Sequence, residues 1–538
     1  MTQEGSGPSP NPEEAVERAL HRERERRRQS LLVARRRDLF LRAALVGVVA
    51  GLVGVLFQWS LFGAESFARW LRELLSSWGF LGAVSLAGVG ACAGGASAWM
   101  TRRYNPAAAG SGIPNLKAVL LQLRPIKWKS LLPVKFFGGV LAIGGGMSLG
   151  REGPTVQMGG AVGAMLADLL RAPKRGRRQL IASGAGAGLA AAFNAPLAGF
   201  VFVLEELQRE MSALTYGMAL TAAVAGDIVV RYLVGQLPSF SIKNYPTPPL
   251  TALPAYVLVG VLCGLVAVLF NHMIVNGRSW LTSFRVPGEW LPWIVGGIAG
   301  LVLWFLPDAA GGGHFTAERI LRGEVNGVGL ILAIFVVKFL LTGLSYAAGV
   351  PGGIFAPMLV LGSLIGLAVG KLSGLAFPLL GTVPAAFAVV GMAAFFAGSV
   401  RAPLTGIVLI LEMTQNYEQL LPLLLASLIA YFIADTMSKP VYDALLEKEL
   451  NTSGIVVEES DPVLFHVAVE VGSRMDGSKV KELGLPQGVL LVSIRRHGQE
   501  IIPKGDTRIL AGDEVAFIAA GSKLEEVQTV REAATAEG

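Results

Sequence analysis

Gly150-Arg151-Glu152-Gly153-Pro154 is embedded in apolar sequence. A glycine-rich run, Gly144-Gly145-Gly146-Met147-Ser148-Leu149, precedes it, and a small-residue helix from Thr155 to Leu169 is expected after it. That setting puts Glu152 at membrane depth, where a charged side chain costs roughly 2.5–3.5 kcal/mol on insertion scales. An ionisable group kept at such a cost is a functional-site candidate. The glycines and Pro154 suit a helix that begins inside the protein, its first N–H groups unpaired and aimed at a buried point. Helix N-termini attract anions. Glu152 is therefore read as an anion that competes with a transported anion for one place.

The bulk composition supports membrane depth. The 538 residues are 52% hydrophobic and only 16% charged, with a mean hydropathy of +0.55; an ordinary soluble chain carries roughly 25% charged residues. The 67 glycines suit helices that pack closely in lipid. Apolar windows of spanning length recur from Leu39 to Tyr431. No cleavable signal peptide is expected, because a polar, basic stretch precedes the first apolar window. Arg22, Arg24, Arg26, Arg27, Arg28, Arg35, Arg36 and Arg37 place the N-terminus on the cytoplasmic side. The glutamates among them and the adjoining span favour a helix on the membrane surface over nucleic-acid binding. Cys92, Cys263 and the five scattered histidines have no disulfide or metal-ligand spacing, so neither a metal nor another cofactor is expected.

Taken in order, residues 1–37 are a cytoplasmic tail, with 12–37 a charged amphipathic helix. Asp38–Leu74 and Leu81–Met100 are the first two membrane segments. Gly110-Ser111-Gly112-Ile113-Pro114 then opens a short helix, presenting N–H groups and one hydroxyl to whatever lies before it. Lys135, in the apolar stretch Leu131–Leu149, is either buried or snorkelling. Arg171–Arg178 reads as a basic loop, and Gly184–Leu207 as a run ending in the carboxylate pair Glu205 and Glu206.

The membrane part repeats itself. Gly150, Pro154, Gly159 and Gly163 match Gly353, Pro357, Gly362 and Gly366 at an offset of 203 residues. Ala195-Pro196-Leu197, Gly199, Leu204 and Glu205 match Ala402-Pro403-Leu404, Gly406, Leu411 and Glu412 at an offset of 207. Halves of about 38–235 and 252–435 with matching Gly/Pro interruptions are a transporter signature, with the site at their interface. Glu152 falls opposite Phe355 and Glu206 opposite Met413, so neither acid follows from what the scaffold requires.

With GSGIP at 110–114, GREGP at 150–154, GIFAP at 353–357 and the tyrosine of KPVY at 439–442, residues 40 to about 449 resemble the CLC family of chloride channels and proton-coupled chloride exchangers. The resemblance implies an all-α polytopic membrane protein of 38–449, with an inverted repeat and broken helices, acting as a homodimer. It implies a chloride ion held by the hydroxyls of Ser111 and Tyr442 and the backbone amides of Ile354 and Phe355. Gly110, Gly112, Gly150, Arg151, Gly153 and Gly353 would line the anion path at helix N-termini. Glu152 looks like the family's gating glutamate and Glu206 like its internal proton-transfer glutamate. Ser111 resembles chloride-preferring members, and the motifs depart from those of fluoride-exporting relatives.

Residues 455–538 change to a charged, alternating pattern. Strands are expected at Gly488–Ile494, Ile501–Pro503 and Asp513–Ile518, with a turn at Arg496-His497-Gly498 and helical segments at Val480–Leu483 and Leu524–Val530. This small α+β soluble domain resembles the TrkA-C, or RCK-C, module. It is expected to be cytoplasmic, either as a dimerising cap or as the binding place of a small ligand.

The combined expectation is an H+/Cl− antiporter in a bacterial-type inner membrane, with chloride, protons and lipid as its partners. The nearest rival is a passive gated chloride channel of the same fold. A cation-uptake subunit would need a carbonyl-lined filter of the TVGYG kind, which the chain lacks. A membrane hydrolase would need a base near Ser111 and a nucleophile motif, and neither is present.

Overall fold

The computed structural model describes residues 12–208, 213–240, 245–283, 287–377, 383–452, 463–486, 488–496, 499–519, 530 and 533–534, with side chains from Arg37 onward. Residues 1–11 of the expected cytoplasmic tail and most of the expected helix at Leu524–Val530 lie outside these residues, as do His497 and Gly498 of the expected turn. The chain divides after Leu446 into two compact units.

The first unit is helical. Its first half runs α1 (Pro12–Leu75), α2 (Phe80–Tyr104), α3 (Ile113–Leu120), α4 (Trp128–Gly144), α5 (Glu152–Leu169), α6 (Lys174–Phe193), α7 (Pro196–Phe202), a π-helical turn (Val203–Gln208) and α8 (Ala213–Leu233). The second half runs α9 (Leu253–Ser283), α10 (Leu291–Phe305), α11 (His314–Leu321), α12 (Val328–Ala347), α13 (Phe355–Ala376), α14 (Pro384–Val400), α15 (Pro403–Thr414) and α16 (Leu420–Met437). Helix α17 (Val441–Thr452) follows. Each helix of the first half has a counterpart in the second.

Seven helices among the described residues are long and apolar enough to cross a membrane. Others are too short: α7 has seven residues and α15 twelve, about 10 and 18 Å at 1.5 Å per residue, against a hydrocarbon core of about 30 Å. Large apolar side chains such as Leu41, Phe80, Ile228 and Phe432 face outward, as they must against lipid.

The helix breaks differ from the sequence expectation in three places. Helix α5 starts at Glu152 rather than Thr155. The basic stretch is helical from Lys174 on, because its lysine and arginines are good helix formers once Pro173 has opened the turn. The run Gly184–Leu207 is interrupted: Asn194 adopts φ 57°, and α7 restarts at Pro196. The second half does the same with Arg401 at φ 68° before Pro403. Proline disfavours helical geometry in the residue before it, which closes one helix and opens the next.

The two halves meet across a pseudo-two-fold axis. Gly150 N–H donates to Gly353 O at 2.6 Å, and Gly353 N–H donates to Gly150 O at 2.7 Å. The Glu205 carboxylate accepts the N–H groups of Leu404 (3.2 Å) and Thr405 (2.7 Å) at the start of α15. The Glu412 carboxylate accepts those of Leu197 (3.1 Å) and Ala198 (2.8 Å) at the start of α7. Each equivalent residue receives what its mate gives, the reciprocity that two-fold symmetry produces. Within each half a glycine lets two helices touch. A Cβ at Gly159 would stand 2.1 Å from Gly184 O, and one at Gly362 would stand 2.1 Å from Gly391 O.

The second unit is a four-stranded antiparallel sheet in the order β1 (Val463–Ala468), β4 (Glu514–Ala519), β2 (Val489–Arg496), β3 (Gln499–Ile501). Strand β1 had no counterpart in the sequence expectation. Strand β3 stops before Pro503, which has no N–H to continue the ladder. Phe465, Leu491, Ile494, Val515 and Phe517 fill the core, with Phe465 stacked on Phe517 at 5.6 Å. Arg496 donates to both oxygens of the buried Asp513 carboxylate, which holds the guanidinium above its usual pKa.

Candidate functional site

Three interruptions in the helices converge on one point. Gly112 precedes α3 with φ 81°, a left-handed turn that glycine adopts without strain, so the loop can fold back over the helix start. Ser111 is fully buried there, and its Oγ accepts the Ile113 N–H at 3.3 Å. A Cβ at Gly153 would stand 2.8 Å from Ser111 O, and one at Gly353 would stand 2.9 Å from Gly153 N. The starts of α3, α5 and α13 are therefore in contact.

Glu152 is the first residue of α5 and only 2% exposed. Its side chain crosses to the other repeat, where Oε2 accepts the Ala356 N–H of the first turn of α13 at 3.3 Å. Ile354 and Phe355, both buried, sit immediately before that N–H. First-turn amides have no partner within their own helix, so this end offers donors to an anion. Tyr442, at the start of α17, is buried, and its hydroxyl has no hydrogen-bond partner among the described residues. Its ring lies within coulombic reach of Glu152, Glu206 and Tyr346.

The other residues of the expected anion path divide into two groups. The N–H groups of Gly110, Gly150 and Gly353 already donate to backbone carbonyls, Gly110 to Val350 O at 3.0 Å. They hold the strand-like crossing together. Gly112, Arg151 and Gly153 lie at the helix starts themselves.

Glu206 lies in the π-helical turn, 1% exposed, paired with Lys117 of α3. Lys117 also bonds Asp443 of α17. Sequence reasoning missed both partners; the available signal was an isolated cation in the apolar helix that follows Ser111. Lys135 is buried, not snorkelling, and its ammonium donates to Ala108 O (3.0 Å) and Gly110 O (2.7 Å). Its repeat mate is Lys338, at the same offset of 203, which donates to Ala309 O (3.4 Å) and Gly311 O (3.3 Å). Each lysine tethers the loop before a short helix, and the offset could have revealed the second. A third overlooked acid, Glu65, accepts the Gly312 N–H at 3.4 Å beside a cavity of about 370 Å³. Among the described residues no cluster of three or more His, Cys, Asp or Glu side chains could hold a metal.

Comparison with known proteins agrees with this architecture. Residues 464–530 match the TrkA-C domain, and residues 89–435 match the voltage gated chloride channel family. The chain is 40% identical over 443 residues to the H(+)/Cl(-) exchange transporter ClcA of Vibrio cholerae, covering 79% of this chain and 92% of that protein. It is 42% identical over 429 residues to ClcA of Vibrio vulnificus, covering 77% and 90%. A slow cyanobacterial Cl−/H+ antiporter superposes with a TM-score of 0.74 at 34% identity, over 77% of this chain and 99% of that one. A eukaryotic CLC transporter shares the fold with a TM-score of 0.66 at 24% identity, over 78% and 75%. The relatives are transporters, and this chain, with its paired repeats and interrupted helices, belongs to the voltage gated chloride channel family.

Proposed function

We propose that the protein exchanges protons for chloride across a membrane, with Glu152 and chloride taking turns at the start of α13. The observation that carries this reading is the Glu152 carboxylate resting on the Ala356 N–H, one residue from the amide of Phe355 and two from that of Ile354. Neutral donors suit a passing anion because they hold it without trapping it. The Ser111 and Tyr442 hydroxyls complete the set, and the buried Lys135 ammonium adds a positive charge behind the Ser111 loop. Protonation removes the negative charge that holds Glu152 to those donors, so its carboxyl is released as chloride enters. Glu206 carries the proton on the other side of the anion site. The resemblance of these positions to an exchanger, and the exchange named for relatives 40% identical, support coupling over passive conduction.

The same reading puts both termini in the cytoplasm of a bacterial-type inner membrane and pairs the protein with a second copy. It makes 455–538 a regulatory or dimerising domain, the regulatory form taking a small ligand as its input. The test is a flux measurement on protein reconstituted in liposomes. A chloride gradient should drive protons uphill, and Glu152→Gln should abolish proton movement while chloride still flows. Chloride flux with no proton movement in the unmodified protein would replace exchange with a channel.

A further inference from the structure

Lys117 joins Glu206 and Asp443 in an ionic cluster that draws on α3, the π-helical turn and α17. The Lys117 ammonium lies 2.7 Å from Glu206 Oε1 and also bonds Asp443 Oδ1. The exposures are graded, with the Glu206 side chain at 1%, Lys117 at 7% and Asp443 at 29%. Asp443 is the most exposed of the three. Lys117 is four residues beyond Ile113, the first residue of α3, about 6 Å along the helix axis at 1.5 Å per residue, so the cluster lies further along α3 than the helix start beside Ser111.

We propose that Asp443 and Lys117 are a proton relay that loads Glu206 from the aqueous side. This rests on reading Glu206 as the acid that carries the transported proton. The proton binds first to Asp443, the most exposed of the three. The Lys117 ammonium then passes one N–H proton to Glu206 Oε1 and recovers the proton from Asp443. The ammonium is restored, Asp443 is again a carboxylate, and Glu206 is the neutral acid; one proton has moved and nothing else has changed. Glu205 and Tyr442 are the titratable groups beside Glu206 and Asp443 in the chain. Glu205, on the same turn, is held by Leu404, Thr405 N–H and Thr405 Oγ1. Tyr442, next to Asp443, is buried, and its hydroxyl has no hydrogen-bond partner among the described residues.

The relay is separable from a merely structural ion cluster because arginine can bridge two carboxylates but does not release a proton. Chloride and proton fluxes are measured together on the full-length protein in liposomes. Asp443→Asn should lower proton flux about tenfold or more, the size of a lost positioned acid, with chloride flux retained. It should also flatten the dependence of proton flux on pH at the Asp443 side. Asp443→Glu should restore both, and Lys117→Arg should keep chloride flux while losing proton flux. Undiminished proton flux in Asp443→Asn or Lys117→Arg overturns the relay, as does a parallel fall of both fluxes in the two variants. Glu206→Gln separates the levels. If that variant loses proton flux while Asp443→Asn does not, the relay alone fails; if it still moves protons, Glu206 is not on the proton path and the relay fails with it, while exchange itself is judged on the unmodified protein.

Discussion

Positions 152 and 355 have the same backbone role and different chemistry. Each begins the long helix that follows a glycine crossing, α5 in one repeat and α13 in the other. At 355 the side chain is a phenylalanine held among Phe193 (5.7 Å), Phe202 (6.2 Å) and Phe396 (4.4 Å). At 152 it is a carboxylate that leaves its own helix and rests on the first turn of the other. The acids at the ends of α7 and α15 repeat the lesson. Glu205 and Glu412 are matched and cap each other's partner helix, whereas Glu206 is matched by the buried Met413 and pairs with Lys117. Where both repeats carry a residue, it builds the scaffold. Where only one does, as at Glu152 and Glu206, the symmetry is broken at the acids we propose to carry the proton.

That contrast can be broken by experiment, most forcefully at the unmatched acids. Glu206→Gln should abolish proton flux with chloride flux persisting, while the mate substitution Met413→Leu should leave both unchanged in liposomes. Equal effects at the two positions would dissolve the distinction. The matched lysines come next. Lys135→Met and Lys338→Met should each lower stability by about 1–3 kcal/mol, because buried carbonyls lose a charged donor. The bonds of Lys135 are shorter, so its substitution should lower the detergent unfolding temperature more. Glu205→Ala and Glu412→Ala should cost about 1–2 kcal/mol each, the worth of a carboxylate at a partly buried helix N-terminus. Glu205 should be the costlier loss, since it also accepts from Thr405 Oγ1 at 2.7 Å. A strong asymmetry between the two would show that one cap has a further role. Deleting residues 453–538 should change the basal fluxes least, as expected if that unit tunes transport; complete loss with a folded membrane unit would give it an essential part.

Much of the scaffold was legible because it is written twice. The offsets of 203 and 207 residues align glycines and prolines whose geometry tolerates few substitutes, and the reciprocal bonds of Gly150 with Gly353 fall on that alignment. Glu152 stood out because a carboxylate within apolar sequence is costly. The interruptions at Asn194 and Arg401 were less visible, since apolar composition continues across them and only the following prolines mark the break. Strand β1 was missed because the run Val463–Ala468 is short and interrupted by His466, and it takes shape by pairing with β4 some fifty residues on.

The sequence by itself determined that this chain lives in a membrane, that it is built from two related halves, and that two of its acids are unmatched between them. These are properties of composition and spacing, which local physics reads directly. Only the tertiary structure decided which groups those acids meet. The Ala356 amide lies 204 residues from Glu152, and Lys117 lies 89 residues from Glu206. A hydrogen bond or ion pair is set by separation in space, and over such distances along the chain that separation exists only once the helices have packed.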